Sequence, residues 1–497
     1  MEGHKLKRTH IIFAIAIALA AGIMTAAAQQ TPDTSLELGS ISTPRTINPA
    51  VNTTTPSSLG GQQQNPFLGS VPTGTATNEV IDITLADAID RGLKFNLGVV
   101  ENQASLRQVQ AQKLRALSTM VPNVSALLRQ NLDQLSTVAI GLKIPGVPRS
   151  TGQFSYQESY LAFSDTGLNL NSLYQYRASR QNVEAQRLQL EDARDVVALA
   201  VGTAYLQVQS SEARVQTATA QLSADRELED QALHRVQSGL AADIEGLRAT
   251  VQRQTSEQRL TVYAANLTKD RLTLARIIGL PSGQRFTTTT KAAYAAWTGG
   301  DLEAALRRAR NDRADVKSAQ AAADASQLSK RAAQFARVPG FSVNGYYGAI
   351  GTNLQRSDPT YALVATISLP IFTGGRIRAD IQDASAQLTR KQSEHADLLG
   401  RVDYEVRNAF TDLEAADSAV KVAEKNSQLA QQTLEQAKHR FLNGVTNNLE
   451  VVQAQRDVAA ANENYIASLF AHNLAKLTLL RAMGAAQKDA NKYLGGN

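Results

Sequence analysis

The sequence predicts a mainly helical chain: long antiparallel α-helical hairpins with four short β-strands fit for a membrane, arranged as two internal structural repeats. Three observations carry this expectation. A fifteen-residue stretch occurs twice, at Arg235–Ala249 and Arg440–Ala454, offset by 205 positions, with arginine, glycine, glutamate, aliphatic and alanine at matching places. Proline is absent from 149–280, 282–338 and 371–497, so long helices fit those intervals. Between them lie two pairs of strand-like segments, opened by Pro122 and Pro339 at an offset of 217.

From the N-terminus, residues 1–28 read as a secretory signal peptide. Lys5, Lys7 and Arg8 form a basic start, Ile11 to Ala21 an apolar run, and Ala26–Ala28 a small-residue cleavage site. The apolar run is too short to favour a membrane-spanning helix. Removing 1–28 takes away three basic residues and one acidic residue and leaves a net charge of +4, a mild excess that gives no case for nucleic acid. The chain has no cysteine, which excludes disulfide staples and a lipidated cysteine. Residues 29–80, rich in Pro, Thr, Gln, Asn, Ser and Gly, are expected to form a disordered extension.

The expected helices span 84–121, 170–238, 243–279, 301–337, 375–441 and 447–484. In the second, Val183, Leu190, Val197 and Ala204 recur every seven residues with Ala193 and Ala200 between them, a narrow seam that lets helices approach closely. At 1.5 Å per residue such a helix extends on the order of 100 Å, which suits a rod or tube. Gly239 and Gly444 are expected to close one helix of each hairpin in the left-handed conformation, with Asp243, and Asn447 or Asn448, restarting the next. The strands are expected at about 123–131 with 153–165 and about 341–350 with 360–369, joined in the first pair by an exposed loop, 132–152. About ten residues suffice for a tilted strand to cross a bilayer. Tyr346, Tyr347 and Tyr361 then fall within the membrane. The domains follow: 81–285 as the first repeat, 286–487 as the second, 488–497 as a C-terminal tail.

Together these features resemble the outer-membrane efflux proteins typified by TolC, over roughly residues 80–485. The resemblance rests on Ile83–Ile89 followed by Asn96 and Leu97, on Leu302–Leu306 with Arg313–Val316, on the Leu369–Gly375 strand-to-helix junction, and on the two Arg-x-x-x-Gly tips. The first half departs at its junction, where Phe163–Asn169, with the single Gly167, replaces the double glycine.

The resemblance implies a homotrimer, since four strands cannot close a barrel whereas three chains give twelve. The strands would form an outer-membrane β-barrel set in lipid and the helices a periplasmic α-barrel. It also implies an exit duct of a tripartite efflux or type I secretion system, with a periplasmic adaptor and an inner-membrane pump as partners. The adaptor would dock at the tips, on Arg235, Ser238, Gly239, Leu240, Arg440, Asn443, Gly444, Val445 and Thr446. Leu449–Ala454 resembles the family's acidic entrance motif, with Gln453 in place of its second acid, so Glu450 and Gln453 are the gate candidates. Glu245 has Arg248 at i+3 to offset it, whereas Glu450 is expected to be unpaired within its own helix. The other reading of Glu450 is a capping partner of Asn447.

An enzyme is poorly supported. His4 and His10 leave with the signal, and His234, His395, His439 and His472 form no metal-ligand spacing, so no catalytic residue, metal or cofactor is assigned. The glycine pairs 299–300 and 374–375 read as turns rather than phosphate loops. His234 and His439, each followed by arginine, read as last-turn cations favoured by the helix dipole, with pH sensing as the rival reading. An exported coiled-coil or adhesin-like rod without a pore explains the helices but not two strand pairs inserted at the same place in each half.

Overall fold

The structure is a computed structural model. It describes residues 65–494 except 140, 142–144, 147, 166–168, 291, 292, 354, 444 and 447. The signal peptide, the extension up to 64, Gly167, Gly444, Asn447 and the last three residues of the expected tail therefore lie outside the described residues.

Strand β1 (Ile81–Ile83) leads into α1 (Leu85–Phe95) and α2 (Leu97–Ser118), strands β2 (Asn123–Asp133) and β3 (Phe154–Asp165), and the long helices α3 (Leu170–Gln237) and α4 (Asp243–Ile277). The second half follows the same order: β4 (Phe286–Thr288), α5 (Leu302–Asp312), α6 (Ala314–Phe335), β5 (Gly340–Asn353), β6 (Arg356–Ser368), α7 (Arg376–Leu442) and α8 (Asn448–Ala482). Helix α9 (Ala486–Leu494) ends the described chain. Helices α3 and α7 run 68 and 67 residues, and α4 and α8 run 35 each. No helix among the described residues is long and apolar enough to cross a membrane.

The two long helices change partners along their length. Helix α3 packs on α2 and α6 and also on α4 and α8, and α7 packs on α6 and also on α8. The seam expected on α3 is largely where contact occurs: Leu190, Ala193, Val197 and Ala204 are buried, Val183 and Ala200 half-buried. A methyl group on Gly202 would come within 2.6 Å of Leu477, so glycine there permits the close approach of α3 and α8. The main core lies around β1 and β4, where Ile83, Ile89, Val201, Tyr205, Ile277, Leu477, Leu480 and Met483 pack together, each aliphatic side chain contributing about 1.5–3 kcal/mol by leaving water. The β1 and β4 strands pair in parallel, Ile81 with Phe286 and Ile83 with Thr288, at the same 205-residue offset as the tips. Tyr205 clasps this pair, its hydroxyl donating to Ile83 O at 3.0 Å and accepting from Thr290 N at 3.1 Å.

The membrane-type strands form one antiparallel sheet in the order β2-β3-β5-β6; β2, β5 and β6 are longer than expected and β3 is one residue shorter. Among the described residues neither β2 nor β6 has a partner on its outer edge. Val124, Leu128 and Leu132 on β2, and Tyr361, Leu363 and Ile367 on β6, are exposed. Tyr347 lies opposite Tyr361 in the register, and Tyr346 packs on Tyr160 with ring centroids 5.0 Å apart.

Three expectations need correction. The helices expected at 84–121 and 301–337 are each broken, at Asn96 and Arg313, which take extended backbone with ψ of 133° and 126°. Neither is a proline or glycine; each is a buried polar residue whose side chain reaches a carbonyl on another element, which a continuous helix would not allow. Residues 65–80 are held rather than loose. Phe67 lies where a Cβ on Gly98 would stand, Asn96 Nδ2 donates to Phe67 O at 2.8 Å, and Thr77 N donates to Gln284 Oε1 at 2.8 Å. The expected tail from 488 is most of α9: Ala486, Ala490 and Leu494, four residues apart, make one buried face, and Tyr493 stacks on Trp297 at 4.7 Å.

Candidate functional site at the hairpin tips

The first tip closes α3 with a Schellman turn. Gly239 has φ +69°, its N–H bonds Val236 O at 3.0 Å, and Leu240 N–H bonds Arg235 O at 2.8 Å, so two of the helix's orphan carbonyls are satisfied. Nothing lies within 4 Å of where a Cβ on Gly239 would stand, so the glycine serves backbone conformation rather than space. Ser238 Oγ donates to His234 O at 2.8 Å. The second tip repeats the bonds on its described residues: Val445 N–H to Arg440 O at 2.9 Å and Asn443 Nδ2 to His439 O at 2.9 Å. His234 with Arg235, and His439 with Arg440, occupy the last helical turns, where the dipole favours cations.

Helix α4 restarts without the side-chain cap expected from Asp243. The N-cap is Ala242, which has no side chain able to bond, and Asp243 is the first helical residue, its charge near the positive end of the dipole. Both tips end in exposed aliphatic side chains, Leu240 at 73% and Val445 at 68%. Ile244, Leu247 and Leu449 continue that exposed apolar surface onto the following helices.

The structure also changes the account of the two glutamates. Glu450 is partnered from across the turn: Arg440 Nη1 donates to its Oε1 at 2.9 Å and Thr446 Oγ1 to its Oε2. Arg440 is ten residues away, so no i+3 or i+4 rule could have shown it. Glu245 is not held by Arg248: among the described residues no ion pair joins them, and its Oε2 is buried without a hydrogen-bond partner. Gln453 is exposed and donates to Asp457 Oδ1 at 3.0 Å.

One residue absent from the sequence-based site joins the two tips. The Arg235 guanidinium lies 4.5 Å from the centroid of the Phe441 ring, which is buried against Ala437, Val451 and Ala454. The repeat held the signal, because Phe441 stands where the first copy has the smaller Val236.

Comparison with known proteins agrees with this reading. Residues 305–485 match the model of the outer membrane efflux protein family. Over that stretch the chain is similar to that family. It is 23% identical to the pyoverdine export outer membrane protein OpmQ of Pseudomonas putida, over 77% of this chain and 81% of that one. Its fold is similar to the outer membrane protein VceC of Vibrio cholerae, with a TM-score of 0.67 and 19% identity over 81% of this chain and 96% of that one. It is likewise similar to the CmeC outer membrane channel of Campylobacter jejuni, with a TM-score of 0.69 and 17% identity over 89% and 96%. The matching family is one of transport channels, and the chain is an outer-membrane protein of a Gram-negative-type envelope with a long periplasmic helical extension.

Proposed function

We propose that this chain is one protomer of a trimeric outer-membrane channel that passively conducts cargo out of the periplasm, as the exit duct of a tripartite efflux or type I secretion system. The observation that carries this reading is the open sheet β2-β3-β5-β6, exposed on its outer edges and attached to helices of 68 and 67 residues. Each unpaired backbone group costs several kcal/mol in hydrocarbon, so the edges need partners. Three copies supply them by joining β6 of one to β2 of the next, giving twelve strands. The halves 81–285 and 286–487, with long helices of nearly equal length, are read as a duplication. A rod without a pore has no use for such a sheet.

In this reading the tips face the periplasm, and Leu240, Val445 and the polar residues around them meet the adaptor that links the duct to an inner-membrane pump. Glu450, with Gln453 one turn on, lines the entrance. Light scattering of the purified protein in detergent, corrected for bound detergent, tests the assembly together with conductance in planar bilayers. A trimer mass with discrete channel steps is expected. A monomer or dimer mass overturns the barrel and the duct alike.

A further inference from the structure

A cavity of about 300 Å³ opens between α3 and α8 beside β4, away from the tips. Its apolar wall comes from Leu206, Ile466, Leu469 and Phe470. Ser210 and Asn473 also line it, and they are only 7% and 2% exposed. Yet Ser210 Oγ and Asn473 Nδ2 are buried without a hydrogen-bond partner. Native folds seldom leave such groups unbonded, and an orphaned hydroxyl and amide at one cavity point to something else that bonds them. Neighbouring polar groups show the contrast: Ser211 Oγ donates to Asp270 Oδ2 at 2.5 Å, and Glu212 is engaged by Arg271 at 2.8 Å and Thr288 at 2.7 Å.

Water alone fits poorly. The cavity has room for several waters, each taking roughly 30 Å³ in the liquid, and Gln209, Glu212, Gln216 and Thr288 line it too, but the aliphatic side chains and the Phe470 ring offer water no bond and leave apolar surface that an organic molecule would cover. An organic molecule with one polar edge satisfies both sides. Glu212 in the wall is paired with Arg271, and among the described residues no arginine or lysine lines the cavity, so an anion would find no counter-charge there.

We propose that this cavity binds a small neutral or cationic aromatic amphiphile carrying a carbonyl or hydroxyl group. Its oxygen accepts from Asn473 Nδ2, a hydroxyl exchanges a hydrogen bond with Ser210 Oγ, and its ring packs on Phe470 and the aliphatic wall. Because α3 and α8 belong to different hairpins, an occupant braces one hairpin against the other from inside the wall.

The test uses 4-hydroxybenzamide as probe and the full-length protein in lipid nanodiscs, with ligand-observed saturation-transfer NMR against empty nanodiscs. Saturable binding is expected. It should weaken at least tenfold in Asn473→Leu, which keeps the branched shape and removes the donor, and in Ala213→Leu, which fills the cavity from its lining. The anion 4-hydroxybenzoate should bind at least tenfold more weakly than the amide. Should Asn473→Leu lose its helical circular dichroism, Ala213→Leu and the amide-to-acid comparison decide alone. No saturable binding to the unaltered protein, or unchanged affinity in the folded variants, overturns the proposal.

Discussion

Arg313 donates through Nη1 to the carbonyl oxygen of Ala482 at 3.1 Å, at the break between α5 and α6. In the other half, Asn96, at the break between α1 and α2, donates through Nδ2 to Ile277 O at 3.4 Å. Each bond satisfies a carbonyl at the C-terminal end of its half's last long helix, where no further turn of helix can do so. An amide performs this in one half and a guanidinium in the other, and only the guanidinium needs counter-charges.

Arg313 is 3% exposed and also binds Asp315 at 2.7 Å and Glu405 at 2.6 Å. Arg313→Ala would leave those carboxylates unmatched, but they are 21% and 40% exposed, so the loss is about 1.5–3 kcal/mol, that of hydrogen bonds to charged groups, rather than that of a fully buried pair. A fall in the urea midpoint of the helical signal at pH 7 checks it. Arg313→Lys should restore only part, since one ammonium cannot span three acceptors in the guanidinium's plane. Burial pulls the Asp315 carboxyl upward, but its hydrogen bond and ion pair with Arg313 outweigh this and hold it below the ordinary carboxylate range. Its contribution is therefore present above the ordinary value and lost as pH falls through the lower folded value, so Arg313→Ala should flatten the acid limb of the stability profile.

Asp195 behaves in the opposite sense. Its Oδ1 accepts the Gln487 N–H at 2.8 Å in the first turn of α9, but burial pushes its carboxyl up despite that bond and nearby Arg481. A raised carboxylate favours the fold below its unfolded value, and that contribution is lost as pH rises through the folded value. Asp195→Asn keeps the acceptor and removes the charge, so its urea midpoint should exceed that of the unaltered protein at pH 7. The two should converge near pH 3, where both carry a neutral side chain.

The sequence made the hairpins and the strand pairs legible because each is written locally, in proline spacing, glycine placement and alternation. The helix breaks at Asn96 and Arg313 were not, since their cause is a carbonyl about 170–180 residues further along. Nor was the strap between β4 and α5. The offset between halves is 205 at Ile81 and Phe286 but 217 at Leu85 and Leu302, so twelve extra residues enter there as well as at the β2–β3 loop. The Arg440–Glu450 pair was hidden because a turn, not a helix face, brings its members together.

That strap carries the single tryptophan, Trp297, which reports on its closure. Tyr294 in the strap donates to Asp417 Oδ1 at 2.8 Å, and Ala295 O accepts from Lys476 and faces His472 Nε2 at 3.2 Å. The His472 ring is wholly buried, and burial first, then the Lys476 charge, push its pKa below the ordinary 6.5; Asp417 opposes and Lys421 adds to the shift. The neutral ring stabilises the closed strap above the unfolded value, and that contribution is lost as pH falls toward the folded value. Trp297 emission should therefore shift towards that of exposed indole below about pH 6. His472→Gln, which cannot titrate, should abolish the shift, and an unchanged acid profile in that variant would refute the assignment.

For the proposed docking surface, Leu240→Asp and Val445→Asp each place a charge on an exposed aliphatic position. Trimer yield and outer-membrane insertion should stay normal while export falls by more than tenfold in the double variant. Full export in that variant would remove the tips from the docking surface.

Glu450 gives the sharpest separation between a gate and a cap. Three copies near the axis would attract cations, but each is paired at 2.9 Å with Arg440, which is more than half exposed and screens it. An exposed pair of this kind contributes about 0–1 kcal/mol, so Glu450→Gln should leave the folded trimer intact. It converts a neutral pair into an unopposed arginine, which a change of the arginine reverses. At a gate, single-channel recording of Glu450→Gln should show weaker cation selectivity and less block by divalent cations from the periplasmic side, and the further change Arg440→Gln should recover most of the selectivity. A capping role, shared with Thr446, predicts unaltered conductance in both variants and only a small drop in the unfolding midpoint. Salt dependence separates the two again: a ring of charge loses its effect on selectivity as ionic strength rises towards 1 M, whereas a cap does not depend on the ions in the pore.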